Sequence, residues 1–337
     1  MSYTSREWRL VARPKGEPKP SDFEFATTTV PDPEDGQIVV RNDFVSVDPY
    51  MRGRMNDVPS YIPPFGLDEP MTGGAVGTVV ASGTADVPVG TAVSHFLGWR
   101  EYALLPAGGV QVIDTSIAPA RAYLGVLGTT GLTAYAGLTE VAPVKAGDTV
   151  FISGAAGAVG SVAGQIARHL GAGRVIGSAG GPEKVRRVTG TYGFDAAIDY
   201  RQGNLSARLA EAAPDGVDVY FDNVGGDHLE AAISAMNTFG RIALCGAISV
   251  YNATDVPPGP RNLPLAIGKR LNLRGMIVSD HLGLASEYAS RAAGWLRDGS
   301  LVAEETVVDG VENAVEAFLA MMRGANTGKM LVRLVHD

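Results

Sequence analysis

A single cysteine, Cys245, stands in a chain of 337 residues. No intrachain disulfide can form, and a structural zinc site of the four-cysteine type is excluded. No uninterrupted apolar run approaches the roughly 18 residues of a membrane span. The opening Met1-Ser2-Tyr3-Thr4-Ser5-Arg6-Glu7-Trp8 lacks the apolar core of a signal peptide. No membrane partner is expected, and the cytoplasm is the expected location. Positive charge is also short: 28 Lys and Arg against 36 Asp and Glu leave a net charge of −8. A nucleic-acid surface needs clustered cations, so no nucleic-acid partner is expected. Histidine is rare, and His95, His169, His228, His281 and His336 show no metal-like clustering. Most of them are expected at the surface.

What is present fits a compact enzyme, with 45% hydrophobic and 19% charged residues. The length suggests about two domains. Residues up to about 120 read as β-rich, with strand-like runs at 37–42 and 76–81 separated by turn clusters such as 31–36. Residues 57–70 carry four prolines and two aromatics, which rules out a helix and predicts an ordered surface loop. From about residue 123 strands alternate with helices. Six apolar runs, at 149–153, 174–178, 196–200, 217–222, 241–245 and 271–278, predict one parallel sheet wound on both faces. In the tail, Val311, Val315, Phe318, Leu319 and Met322 predict an amphipathic helix. A turn at 324–328 and a strand at 329–335 follow. A tail returning to the first domain makes the nucleotide domain an insertion.

The strand at 149–153 feeds a glycine turn, Gly154-Ala155-Ala156-Gly157-Ala158-Val159-Gly160, and then a helix with Val159, Val162, Ile166, Ala167 and Leu170 at helical spacing. Small residues let the backbone approach a pyrophosphate, and the helix N-terminus offers it free N–H groups. Ala155 replaces the first glycine of the usual pattern, but strand, turn, helix and second strand fall within one unit of about 30 residues. The second strand ends at Ser178 without the acid that holds a ribose 2′-OH in NAD binders. Ser178-Ala179-Gly180-Gly181 come instead, followed by Lys184, Arg186 and Arg187. That pattern favours NADP.

Several blocks resemble the zinc-independent branch of the medium-chain dehydrogenase/reductases. They are Ser46-Val47-Asp48-Pro49-Tyr50-Met51-Arg52-Gly53, Gly131-Leu132-Thr133-Ala134-Tyr135, and the stretches 155–161, 220–226, 239–243, 245–252 and 326–329. The likeness is closest to the leukotriene B4 12-hydroxydehydrogenase, prostaglandin reductase and alkenal double-bond reductase group, and it spans nearly the whole chain. The resemblance implies an α/β fold: a GroES-like β-rich catalytic domain over residues 1–122, completed by 300–337, and a Rossmann NADP-binding domain over 123–299, with the active cleft between them. It implies NADPH-dependent reduction of a C=C bond conjugated to a ketone or aldehyde, on a small hydrophobic enone or enal, by a homodimer joined through an edge of the nucleotide sheet. It also implies that Ala158, Val159, Gly160 and Ser161 hold the pyrophosphate, with Gly157 among the cofactor-binding residues, and that Lys184 and Tyr200 contact the 2′-phosphate end. Asn223, Cys245, Gly246, Ala247, Ile248, Ser249, Tyr251, Met276, Ile277, Val278 and Asn326 line the rest of the cofactor.

Two departures bear on substrate. Thr129-Thr130 stands where the group commonly has Met-Pro, and one extra residue separates Lys184 from Tyr200. The stretches that carry a catalytic zinc in related alcohol dehydrogenases read Val45-Ser46-Val47-Asp48 and Thr72-Gly73-Gly74, so no metal is expected. A hydrogen-bond donor placed where enolate charge develops would lower the barrier. Tyr251 is the first candidate, since a phenol stays protonated at neutral pH, with packing against the cofactor as its alternative role. Tyr50 is the candidate for orienting substrate, or else a structural wedge. Tyr61 and Phe65 offer an apolar wall or anchor their own loop, and Cys245 reads as a buried small residue at a strand end. Two other activities stay open: NADPH-dependent quinone reduction, and NADPH binding without turnover.

Overall fold

The computed structural model describes residues 2–334. The chain folds as two compact units, one taking residues up to Leu124, Glu305–Asn326 and those from Met330 on, the other Gly125–Glu304 and Thr327–Lys329.

The first unit is built on antiparallel strands. β1 (Tyr3–Leu10) pairs with β2 (Phe23–Val30) along its whole length. β3 (Gln37–Ser46) is the centre of a larger sheet, and Ile38, Val39 and Val40 are fully buried there. A short helix, α1 (Tyr50–Arg54), leads into residues 57–70, which contain no helix. That proline-rich loop is tied down by backbone bonds from Phe65 to Arg54 and from Asp68 to Leu10. Strands β4 (Ala75–Ser82), β5 (Ala92–His95), β6 (Tyr102–Pro106) and β7 (Gln111–Val112) complete this part.

The second unit alternates strands and helices. Its strands are β8 (Thr149–Ile152), β9 (Arg174–Ala179), β10 (Ala196–Asp199), β11 (Val217–Asp222), β12 (Met236–Leu244) and β13 (Asn272–Gly275). All pair in parallel, in the order β10-β9-β8-β11-β12-β13. The order reverses beside β8, the crevice where ligands bind in such sheets. Its helices are α2 (Thr129–Ala136), α3 (Ala158–His169), α4 (Pro182–Gly190), α5 (Leu205–Ala212), α6 (Gly226–Ala235), α7 (Leu265–Lys269) and α8 (Ala285–Asp298). Central strands read as continuous apolar runs because helices cover both sheet faces. Val150, Phe151, Ile152, Tyr220 and Phe221 are accordingly sealed from solvent.

The tail adds β14 (Glu305–Asp309), α9 (Ala314–Met322) and β15 (Lys329–Arg333). β15 lies between β14 and β3 in the first unit's sheet, order β14-β15-β3-β4-β5-β7, pairing with residues 44–46 of β3 while β6 pairs with residues 37–41. In that unit Trp99 meets Phe318 of α9 edge-on at 6.2 Å, and Trp8 donates its indole N–H to Val311 at 2.8 Å.

Several boundaries differ from the sequence reading. β12 begins at Met236, five residues early, because Met236 pairs with Val217 before an irregularity restores register at Val219 and Arg241. β13 is short, and residues 276–278 leave the sheet. Tyr200 opens a 3-10 turn instead of ending a strand, and residues 311–313 form a 3-10 turn before α9. Val335, assigned to the last strand, and His336 lie outside the described residues. No helix among the described residues is long and apolar enough to cross a membrane.

Candidate functional site

The phosphate turn leaves β8 at Ile152 and doubles back so that Ala155 N–H bonds Ser178 O of β9 at 2.9 Å. Gly157 caps α3, and Ser161 N–H to Gly157 O is the first bond of that helix, at 3.0 Å. The N–H groups of Ala158, Val159 and Gly160 therefore precede the helical ladder. Gly160 is required by contact: a Cβ there would stand 2.3 Å from the Gly154 carbonyl oxygen. Gly328 lies along the turn, bridging to Gly157 and donating to Ala156 O at 2.8 Å. At the end of β9 the buried Ser178 hydroxyl has no hydrogen-bond partner among the described residues.

Beside this turn, Gly180 and Gly181 connect β9 to α4, which carries Lys184. Burial and the charge of Arg201 lower the Lys184 pKa. Tyr200 is 40% exposed and sets its ring against His228. The basic cluster seen in the sequence divides in the fold. Arg187 pairs with Glu304, which also accepts the Tyr192 hydroxyl at 2.5 Å, so Arg187 is a structural cation.

At the next strand ends, Asp222 braces the sheet edge. One of its oxygens accepts from Tyr220 Oη (2.7 Å), Ser153 Oγ (3.1 Å), Val224 N (2.9 Å) and Gly225 N (2.8 Å). Asn223 donates its amide to Ser153 O at 2.8 Å. The stretch after β12 folds over this turn: Cys245 and Gly246 N–H reach Asp222 O, and Ser249 N–H and Oγ reach Val224 O. The result is that 154–161, 178–184, 222–226, 245–251 and 276–278 share the carboxyl edge of one sheet. Within 276–278, Met276 is buried beside Gly137, where an added Cβ would stand 3.0 Å from its sulfur. Asn326 falls in the other unit, one residue before Thr327.

Tyr251 follows a 3-10 turn at residues 248–250. Its hydroxyl oxygen accepts the Ala247 N–H at 3.2 Å, and its proton has no acceptor among the described residues. Burial raises its pKa, with the charges of Cys245 and Asp222 adding to the effect, so the phenol form is favoured. Cys245 is half-buried, and burial with the Asp222 charge pushes its thiol up to about 12. It carries no reactive-thiolate signature.

In the first unit, Tyr50 opens α1, stacks on Phe96 at 6.5 Å and hydrogen-bonds the Arg54 side chain. Burial and the Asp48 charge push its pKa far up. Arg54 is itself buried, bonding Pro63 O, Thr72 O and Thr72 Oγ1 while lying 4.0 Å over the Phe65 ring. Phe65 is 3% exposed beneath that cation, so it anchors its loop and forms no apolar wall; Tyr61 is 59% exposed. Two of the five histidines, His95 and His228, are buried. His95 bonds Asn42 at 2.8 Å and receives Leu97 N–H, and burial holds its pKa at about 4. No three His, Cys, Asp or Glu residues among the described residues gather as a metal set.

Two family models match parts of the chain, one described as the N-terminal domain of oxidoreductase over residues 6–113, the other as zinc-binding dehydrogenase over 158–296. The chain is 39% identical to the NADPH-dependent curcumin reductase of Escherichia coli, over 99% of its own length and 98% of that protein. It is 41% identical to the NADP-dependent 2-alkenal reductase of Nicotiana tabacum, covering 96% and 95% of the two chains. The crystal structure of CurA from Vibrio vulnificus in complex with NADPH superposes with a TM-score of 0.93 at 39% identity, covering 98% of this chain and all of that one. The chain belongs to the zinc-independent medium-chain dehydrogenase/reductases and is an NADP-dependent oxidoreductase of that family.

Proposed function

We propose that this chain reduces the activated C=C bond of small hydrophobic α,β-unsaturated ketones and aldehydes in the cytoplasm. Its own residues fit NADPH. Helix α3 starts hard against the phosphate turn, an approach that any side chain at Gly160 would prevent, and the Ser178 hydroxyl is buried and unspent. In this reading Ala158, Val159, Gly160 and Ser161 hold the pyrophosphate, Gly157 binds the cofactor beside them, and Lys184 and Tyr200 lie at the 2′-phosphate end. Asn223, the 245–251 stretch, residues 276–278 and Asn326 line the remainder. The catalytic domain runs over 1–122 and 300–337, and the nucleotide domain over 123–299.

Bound NADPH supplies the hydride that reduces the β-carbon. What the chain must supply is a donor for the carbonyl oxygen as negative charge moves onto it. The observation that carries the reading is Tyr251, whose oxygen is pinned by Ala247 N–H while its proton is left to give. A donor fixed in advance pays no reorganisation at the moment of reaction. Tyr50 orients the substrate, its hydroxyl held by Arg54.

The test is steady-state NADPH oxidation with matched panels of enones, enals and quinones, with product analysis. Saturated ketones and aldehydes as products support the reading. Quinone turnover without enone turnover, or NADPH binding with no turnover on any acceptor, overturns it. A homodimer through the nucleotide sheet edge is part of the same proposal. Its support is the exposed edge strand β13 together with the exposed Leu265 and Ile267 (81%) of α7. Sedimentation velocity yielding only monomer would remove that part.

A further inference from the structure

Two turns meet at the ends of neighbouring strands β9 and β10, and one carboxylate ties them together. Asp199 accepts Gly181 N–H at 2.9 Å and Arg201 N–H at 3.1 Å on the same oxygen, and Gln202 Nε2 at 3.4 Å on the other. This clamp sets where the Arg201 side chain departs. Its guanidinium lies against the glycine turn: a Cβ on Gly180 would stand 2.9 Å from its Nε, and one on Gly181 3.7 Å from an Nη. Residue 201 is exposed, and among the described residues its guanidinium has no hydrogen-bond acceptor and no carboxylate within ion-pair distance. Asp199 feels its charge only through space, and both Asp199 oxygens are engaged by the turns.

Lys184, three residues past the turn, is close enough for the Arg201 charge to lower its pKa. Arg187 would be the natural second cation from its place in the sequence, but it is taken by Glu304. Two cations thus converge on a turn with no side chains; Glu183 eases the charge of Lys184, and no carboxylate among the described residues pairs with Arg201. A phosphate monoester, which carries nearly two negative charges at neutral pH, complements such a pair, and a guanidinium can meet it with two parallel bonds.

We propose that Arg201 is a second cation for the 2′-phosphate of NADPH, beside Lys184, and an independent determinant of NADPH over NADH. The proposal rests on the reading that places the adenosine ribose at the end of β9. Calorimetry on the full chain with 2′,5′-ADP, 5′-AMP, NADPH and NADH tests it, using wild type, Arg201→Ala, Arg201→Lys and Lys184→Ala. Loss of one charge-assisted contact should weaken NADPH and 2′,5′-ADP roughly tenfold in Arg201→Ala, leaving NADH and 5′-AMP within about twofold. Arg201→Lys should recover part of the loss, because the charge returns without the bidentate fork. If Arg201→Ala binds NADPH as wild type does while Lys184→Ala loses it, Lys184 acts alone and the proposal is wrong. Equal weakening of NADPH and NADH in Arg201→Ala would make the residue structural and also overturn it. Wild type binding 2′,5′-ADP no better than 5′-AMP would instead defeat the underlying placement of the ribose.

Discussion

Replacing Tyr251 by Phe removes one oxygen that serves two hydrogen bonds. One is internal: the oxygen accepts Ala247 N–H at 3.2 Å, and losing a partly buried bond of this kind costs on the order of 1 kcal/mol. The other is the proton left without an acceptor in the fold, which we assign to the substrate oxygen. Removing one preorganised donor from a developing oxyanion costs about 2.7–4 kcal/mol, or roughly 10²–10³ in kcat. Under the same proposal a ribose hydroxyl of bound NADPH would share the charge, which would draw the expected loss toward the lower end, about 10²-fold. The two effects separate by measurement. The internal bond should appear as a Tm lowered by about 2–4 °C. The donor role should appear in kcat at saturating NADPH, with NADPH affinity changed by no more than about threefold.

The pH profile adds an independent check. Burial raises the Tyr251 pKa above its ordinary value of 10.0. The phenol donates only while protonated, so this group imposes no loss of kcat below pH 10 and a falling limb above it. The Phe variant has no such limb. A variant that unfolds a few degrees early yet keeps kcat within about twofold would show that the oxygen only pins the 245–251 stretch, and the donor assignment would fail.

Three further outcomes follow from the same geometry. Gly160→Ala places a Cβ 2.3 Å from Gly154 O, so overpacking should cost about 1–3 kcal/mol and weaken NADPH more than tenfold; Gly190→Ala, with nothing within 4 Å, should be neutral or stabilise by up to about 1 kcal/mol. Similar NADPH affinities in the two variants would contradict the close approach of α3 to its turn. Cys245, with its thiol near 12, should be about 10⁻⁴ thiolate at pH 8 and alkylate far more slowly than the unfolded chain, accelerating as pH rises; equal rates would show the thiol is not shielded. His95 binds its proton less readily when folded, at about 4, than at the unfolded value near 6.5. Its contribution is therefore complete above pH 6.5 and falls by about 1.4 kcal/mol per pH unit between 6.5 and 4. Urea midpoints measured from pH 7 to 4.5 should fall more steeply in wild type than in His95→Gln, and parallel slopes would sink the assignment.

The parallel sheet was legible because each central strand is buried on both faces and so is written as an apolar run. Its ends were not. β12 starts at Met236 because Val217 on the neighbouring strand pairs there, and nothing in the polar stretch Asn237-Thr238 announces it. Residues 276–278 carry an apolar run but leave the sheet after Gly275, where β13 has only β12 beside it. The glycine turn at 154–160 was legible for a different reason. Whether a Cβ fits at Gly160 depends on Gly154, six residues away, so the constraint is local and leaves a local trace.

Charges carry no such trace. Arg186 and Arg187 follow Lys184 closely in sequence, and proximity alone suggests a shared ligand. In the fold Glu304, more than a hundred residues on, captures Arg187. Arg201, seventeen positions from Lys184 on another strand end, comes over the Gly180–Gly181 turn because Asp199 clamps both turns. A long cationic side chain reaches several ångströms in any direction, so its partner is decided by which strand ends lie side by side. The empty turn could be read from two adjacent glycines; the cation standing over it depends on the β9–β10 pairing. For that reason Arg201→Ala is the sharper test of the nucleotide assignment: its effect follows from the fold alone, whereas the effect of Lys184→Ala was already suggested by the motif.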